Sequence, residues 1–302
     1  MTAPALQVLT LVAAEDGLLS PAIVAEATAA LNGLGAAAAE TAWLADGRAA
    51  DVAFSGAAPE AVAAAIRRVL AERAIDLHVA PAAGRKKRLL LADMDSTIVT
   101  TETLDELAAL VSIKDEIAAI TARAMNGELN FEAALKERVG RLAGLEEATL
   151  AEAYADVRLS PGAETLVRTM AASGARCVLV SGGFRYFTSR VAQWCGFHAD
   201  YANDFVIEAG RLTGAVTLPI LTKDVKLQIL EAEAATLAIQ PAAAMAIGDG
   251  ANDLPMIQAA GLGIAYRGKP VVAAAAPVRI DHGDLTTALY FQGYARAEFV
   301  GA

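Results

Sequence analysis

Along residues 1–82 short apolar runs alternate with segments whose apolar positions recur three and four apart. ALQVLTLVA (5–13) reads as a strand and PAIVAEATAALNGLG (21–35) as a helix. AAAETAWLA (37–45) and ADVAFSG (50–56) read as two more strands, PEAVAAAIRRVLAERA (59–74) as a second helix and IDLHVA (75–80) as a strand. This order predicts a small α/β sandwich with no catalytic cluster of its own, followed by a linker, PAAGRKKR (81–88). From residue 89 the pattern changes to apolar strands separated by helical stretches, which predicts a parallel sheet with crossover helices. LLLA (89–92), RCVLV (176–180), AMAI (244–247), LGIAY (262–266) and VRI (278–280) are its strands, and NDFVIEAGRLTG (203–214) reads as a hairpin with a Gly-Arg turn. The stretch between the first two strands is far longer than a crossover needs. From about 101 to 158 it is mostly helical, which predicts an inserted helical cap, and Ser160 before Pro161 is the expected N-cap of the helix leading into the second strand.

Composition narrows the partners. Hydrophobic residues are 55 % of the chain and charged ones 20 %, enough for a substantial core and against disorder. A net charge of −10 argues against a nucleic-acid surface, which needs clustered Lys and Arg. The one basic cluster, GRKKR (84–88), is expected to be solvated. Cys177 and Cys195 read as core residues of a reduced compartment, and His78, His198 and His282 form no zinc pattern with them. No run reaches the roughly 18 apolar residues of a membrane span. The opening MTAPALQVLTLVAAED lacks the basic start of a secretory leader, so a cytoplasmic protein without membrane contact is expected.

Three predicted strands run into polar or glycine-rich strings: LLLA-DMDST, CVLV-SGGF and AMAI-GDGAND. In a parallel sheet all carboxyl ends lie on one edge, where open α/β folds bind ligands. Asp93 and Asp95 would there meet Asp249 and Asp253. Burying so many carboxylates is costly unless a cation sits among them, and oxygen ligands suit Mg²⁺. SGG supplies a hydroxyl and backbone amides suited to phosphate, and Lys226, in KDVKLQIL, adds a positive charge. Each string has an ordinary alternative, a capped turn or a helix start. Their joint placement at strand ends is what points to a metal and a phosphate.

DMDST, SGGF, a following lysine and GDGAND together resemble the motifs of the haloacid dehalogenase superfamily. The resemblance covers about residues 89–295 and is closest to those members that act on O-phospho-L-serine, through Glu102, MNGELNF (125–131) and Arg138. It implies a Rossmann-like parallel sheet with an inserted helical cap over residues 83–302. Residues 1–82 are similar, more weakly, to the ACT-like α/β unit of many bacterial members, through which a homodimer could form. The implied reaction is Mg²⁺-dependent hydrolysis of phosphoserine, the last step of serine biosynthesis, through an aspartyl-phosphate. Asp93 would be the nucleophile and Asp95 the general acid and base. Asp93, the Asp95 carbonyl and Asp249 would hold Mg²⁺, while Ser181, Gly182 and Lys226 would hold phosphoryl oxygens. Lys223 lies in the right region too, but spacing to KLQIL favours Lys226. Glu102 would meet the substrate ammonium and Arg138 its carboxylate, Met125 and Phe131 would pack over it, Asn252 would line the site and Asp253 would support it from behind. A rival reading is another small-molecule phosphatase or phosphotransferase of the same superfamily. Further off stand a receiver-like domain phosphorylated on Asp93 and a non-catalytic amino-acid sensor.

Overall fold

The computed structural model describes residues 6–125 and 128–301, with all side chains except those of Ala124, Met125 and Lys223. The first unit runs β1 (Gln7–Ala13), α1 (Pro21–Gly33), β2 (Ala37–Ala45), β3 (Ala49–Ser55), α2 (Pro59–Leu70) and β4 (Ile75–Pro81). These strands form an antiparallel sheet in the order β2-β3-β1-β4. Alternation along β1 explains its two faces. Leu9, Leu11 and Ala13 pack with Val24, Leu31, Val62 and Ile66 of the two helices, whereas Val12 joins the core of the larger unit.

That larger unit begins with β5 (Leu89–Asp93) and the cap helices α3 (Thr103–Leu110), α4 (Lys114–Met125), α5 (Phe131–Gly140) and α6 (Ala148–Ala155). It continues through α7 (Ala163–Ala172), β6 (Arg176–Phe184), α8 (Arg185–Cys195), β7 (Ala199–Asn203), β8 (Phe205–Glu208), β9 (Arg211–Val216) and α9 (Lys223–Thr236). β10 (Ala244–Gly248), α10 (Leu254–Ala259), β11 (Leu262–Tyr266), α11 (Pro270–Ala275), β12 (Val278–Ile280) and α12 (Thr287–Phe291) complete it. Its six parallel strands lie in the order β12-β11-β10-β5-β6-β7. Both faces are covered: Leu90 and Ala92 of β5 pack into one core, Leu89 and Leu91 into the other, and so the strand is an unbroken apolar run. The chain leaves β5 towards β6 on one side and reaches β10 on the other, so the strand order reverses beside β5 and opens a crevice there.

Several expectations shift. β7, sequence ADYAN, has no apolar run and escapes a search by pattern; it pairs with β6 at the sheet edge. The hairpin turn is Ala209-Gly210 rather than Gly-Arg, because both turn residues take positive φ (48° and 73°) and Arg211 already pairs with Glu208. The hairpin docks on the cap, with Gly144 donating to the Leu212 carbonyl at 2.8 Å and Leu212 to that of Leu145 at 2.9 Å. Ser160 is not an N-cap: its amide donates to the Ile98 carbonyl at 2.9 Å beside the Val99–Leu159 bridge that closes the cap stem, and α7 starts two turn residues later.

The basic cluster before β5 is also not simply solvated. Arg85 is 11 % exposed and donates to Asp51 Oδ2 (2.5 Å) and Oδ1 (3.1 Å), joining the small unit to the large one. Asp76 of β4 accepts from the backbone amides of Asp281, His282 and Gly283 just past β12. Cys177 and Cys195 are buried and unpaired, as expected. Among the described residues no helix is long and apolar enough to cross a membrane.

Candidate active site

At the end of β5 the chain makes a wide turn in which Ser96 takes positive φ (56°). Met94 drops into the core, and the flanking Asp93 and Asp95 line a crevice cavity of about 220 Å³. The cavity wall also carries Glu102, Phe131, Arg138, Ser181, Gly182, Asp249, Asn252 and Lys269. Most of the residues singled out in the sequence therefore converge on one place. Lys226 and Asp253 sit beneath its floor, 1 % and 0 % exposed. The Met125 side chain and residues 126 and 127 of MNGELNF lie outside the described residues.

Lys226 Nζ donates to Asp93 Oδ1 and to Asp253 Oδ1, each at 2.6 Å. Burial opposes its charge, but Asp93 and Asp253 outweigh that and raise its pKa. Asp253 Oδ2 accepts from the Gly250 amide at 2.9 Å, so both its oxygens are engaged and it acts as the lysine's anchor. This closeness needs Gly248: a Cβ there would lie 2.5 Å from the Asp253 carboxylate. Asp95 is held from two sides. Its Oδ1 accepts from the amide of Thr103, the first residue of the cap, at 2.9 Å, and its Oδ2 accepts from Ser181 Oγ at 3.1 Å. Ser181 Oγ in turn accepts from the Gly183 amide at 2.8 Å, and Asn203 Nδ2 donates to the Gly182 carbonyl at 2.8 Å, which stiffens the SGG turn. Phe131 reaches down from the cap to within 3.3 Å of where a Cβ on Gly182 would stand.

The electrostatics are those of crowded acids. Burial, with Asp253 and Asp95 nearby, pushes Asp93 well above the ordinary carboxylate range against the pull of Lys226. Burial likewise raises Asp95 and Asp249. One carboxylate oxygen each of Asp93, Asp249 and Asp253 lie within 4.8 Å of one another, all on buried residues. Asp253 is occupied by Lys226 and Gly250, which leaves Asp93 and Asp249 as the cluster's carboxylates on the crevice side. An all-oxygen donor set with surplus negative charge fits a hard divalent cation.

Three residues that matter were not read from the sequence. Thr103 acts through its backbone amide, for which no side-chain signal exists. Asn203 closes the missed strand β7. Lys269 follows β11 at the same sheet edge as the three strings, so LGIAY-RGKP could have been found by the same strand-end rule. Its Nζ lies 3.1 Å from Asp249 Oδ2 and 3.8 Å from Glu102 Oε1, and Glu102 Oε1 also accepts from Ser96 Oγ at 3.0 Å.

Comparison with known proteins agrees with this geometry. The family model described as haloacid dehalogenase-like hydrolase matches residues 90–258. A phosphoserine phosphatase of Streptomyces coelicolor is 41 % identical over 257 residues, covering 84 % of this chain and 62 % of that protein. One of Streptococcus thermophilus is 43 % identical over 199 residues, covering 66 % of this chain and 93 % of that protein. Among solved structures, a haloacid dehalogenase family hydrolase of Salmonella enterica serovar Typhi superposes with a TM-score of 0.81 at 28 % identity, covering 94 % of this chain and 98 % of that one. The chain belongs to the haloacid dehalogenase-like hydrolases. It spans about three fifths of the length of the Streptomyces relative.

Proposed function

We propose that this chain is a phosphoserine phosphatase, hydrolysing O-phospho-L-serine to serine and phosphate with Mg²⁺ and thereby supplying serine. The observation that carries the reading is the cap's contribution to the cavity. Glu102 and Arg138 line the small space that Asp93 and Asp95 share, and Arg138 Nε is buried with no hydrogen-bond partner among the described residues. A ligand with one ammonium, one carboxylate and one phosphate matches that wall; a sugar phosphate leaves Arg138 unanswered. The phosphoserine phosphatases among the relatives favour the same substrate.

In this reading Asp93 attacks phosphorus and the serine oxygen leaves with the proton that Asp95 carries. Asp95 then takes a proton from a water molecule as that water displaces phosphate from Asp93. Burial favours the protonated form of Asp95 needed in the first step, and Thr103 and Ser181 keep the carboxyl aimed. Lys226 fixes Asp93 from below and offsets charge as the phosphoryl group transfers, while Ser181 and Gly182 would hold its oxygens. Asp93, the Asp95 carbonyl and Asp249 would hold Mg²⁺, which supplies charge neutralisation at the phosphoryl oxygens. Asn252 lines the substrate space, and Phe131, with Met125, would close over it and exclude water.

Residues 1–82 fit an ACT-like unit, and the free outer edge of β2 in the order β2-β3-β1-β4 offers a surface for a homodimer. Two unpaired buried cysteines suit a cytoplasmic site of action. The deciding experiment is phosphate release from L-phosphoserine with and without Mg²⁺, beside a panel of sugar phosphates. A Mg²⁺-dependent preference for phosphoserine is expected. Faster turnover of a sugar phosphate would keep Asp93 and Asp95 but remove Glu102 and Arg138 from recognition.

A further inference from the structure

Two cations line the cavity, and the reading above gives a task only to Arg138. Lys269 stands apart in how it is held. Its backbone is pinned, because its amide donates to the carbonyl of Asp249 at 2.9 Å and Pro270 opens α11 directly after it. The turn that brings it there passes through Arg267, whose φ of 45° is a conformation that side-chain-bearing residues rarely adopt, so the chain spends strain to leave β11 in this direction. Its side chain, by contrast, is 60 % exposed, while that of its partner Asp249 is 8 % exposed. A pinned backbone with a long, solvated side chain lets the ammonium swing while its anchor stays fixed. Two carboxylates lie inside that swing: Asp249 Oδ2 at 3.1 Å and Glu102 Oε1 at 3.8 Å.

An ammonium at 3.1 Å from a carboxylate oxygen and a divalent cation bound by the same carboxylate compete for the same electron density, and their charges repel. We propose that Lys269 is a tethered competitor for the metal's carboxylate: it pairs with Asp249 until a divalent cation displaces it, and then swings out into solvent, where its side chain is already 60 % exposed. It is thus a positioning residue that sets metal affinity. Without the Lys269 ammonium the carboxylates of Asp249 and Glu102, 3.1 and 3.8 Å from it, would lose the cation they share. With it, metal is held loosely enough to exchange. The proposal rests on Asp249 being a metal ligand, and the test is arranged so that failure of that reading shows separately.

The test is a titration of the metal-stripped full chain with Mn²⁺, an ion that accepts the same oxygen ligands, the free ion being counted by its electron paramagnetic resonance signal. Lys269→Met is expected to bind on the order of tenfold more tightly than wild type, the effect of removing one unit charge ~5 Å from a divalent cation in near-aqueous surroundings. Lys269→Arg keeps the charge and should stay within about twofold of wild type on the same reasoning. Unchanged or weaker binding by Lys269→Met overturns the proposal, as does equal tightening by Lys269→Arg, which would make shape rather than charge the cause. Asp249→Asn marks the site. If it binds as wild type does, or if neither wild type nor Lys269→Met binds, the metal reading of Asp249 falls and this proposal with it. If Asp249→Asn loses binding while Lys269→Met is unaltered, only the proposal falls.

Discussion

The active-site crevice and the junction between the two units both take carboxylates out of water, and they deal with them in opposite ways. At the junction each acid closes on donors that the chain itself supplies. Asp51 receives both terminal nitrogens of Arg85 and the Thr10 hydroxyl at 2.6 Å, and the same guanidinium reaches the carbonyls of Tyr290 and Phe291. Asp76 is met by three consecutive backbone amides. In the crevice five acids, Asp93, Asp95, Glu102, Asp249 and Asp253, stand against three cations among the described residues, Lys226, Lys269 and Arg138, and burial raises the pKa of Asp93, Asp95 and Asp249 as it does that of Asp76. The desolvation cost is of the same kind in both places. The difference teaches that a buried acid balanced within the chain serves the fold, whereas a surplus of acids marks a place where something from solution completes the balance.

The sharpest way to break this comparison is to neutralise one acid on each side. Asp93→Asn should remove more than about 10⁴-fold of phosphoserine turnover, the scale seen when a covalent nucleophile is lost, while the thermal midpoint holds or rises because crowding is relieved. A large fall in the midpoint would mean that Asp93 serves the fold as Asp51 does. Arg85→Ala should do the reverse. It takes the charged partner from Asp51 and one donor from the carbonyls of α12, at a cost of about 3 kcal/mol in urea unfolding, and should alter kcat by no more than about twofold. A loss below about 1 kcal/mol would put the pair on a par with surface ion pairs and erase the contrast.

Two smaller effects sharpen it. Arg138→Ala is expected to lower kcat/KM for phosphoserine about 100-fold, the scale of losing one partner of a buried charge pair, but to spare p-nitrophenyl phosphate, which has no carboxylate. Equal losses on both substrates would assign Arg138 to the cap's structure. The last concerns His78 of the junction, packed at 5.4 Å on the Phe291 ring. Burial, with Arg85 and Lys87 nearby, lowers its pKa from 6.5 to about 4. The unfolded chain therefore takes up a proton between those values that the folded chain does not, so the contribution of His78 to stability falls as pH drops from about 6.5 towards 4 and is unchanged above. His78→Gln, which cannot titrate, should gain on wild type by about 2 kcal/mol between pH 7.5 and pH 5 in paired urea unfolding curves. A difference independent of pH would show that His78 is solvated at the junction.

Much of the catalytic side was legible because its signals are local. β5, β6 and β10 are apolar runs, each followed at once by its polar string, and the rule that parallel strands end on one edge assembles them. Lys226 was legible as a lysine near a helix start; that it lies under Asp93 rather than on the cavity wall was not. β7 was missed because ADYAN alternates no apolar face, and with it went Asn203. The docking of the β8–β9 hairpin on the cap joins segments separated by the whole of β6, α8 and β7, which no window of sequence compares.

Sequence alone determined most of the elements and the gathering of acids at one sheet edge, since hydropathy period and crossover handedness act over a few residues and say which side chains go inward. Only the tertiary structure decided which charge meets which. GRKKR carries no mark that Arg85 alone turns in to Asp51, nor does RGKP show that its lysine reaches Asp249 and Glu102. The physical reason is range: an apolar side chain needs only an interior, whereas a charge needs a particular partner within about 3 Å, and these partners come from chain segments far apart.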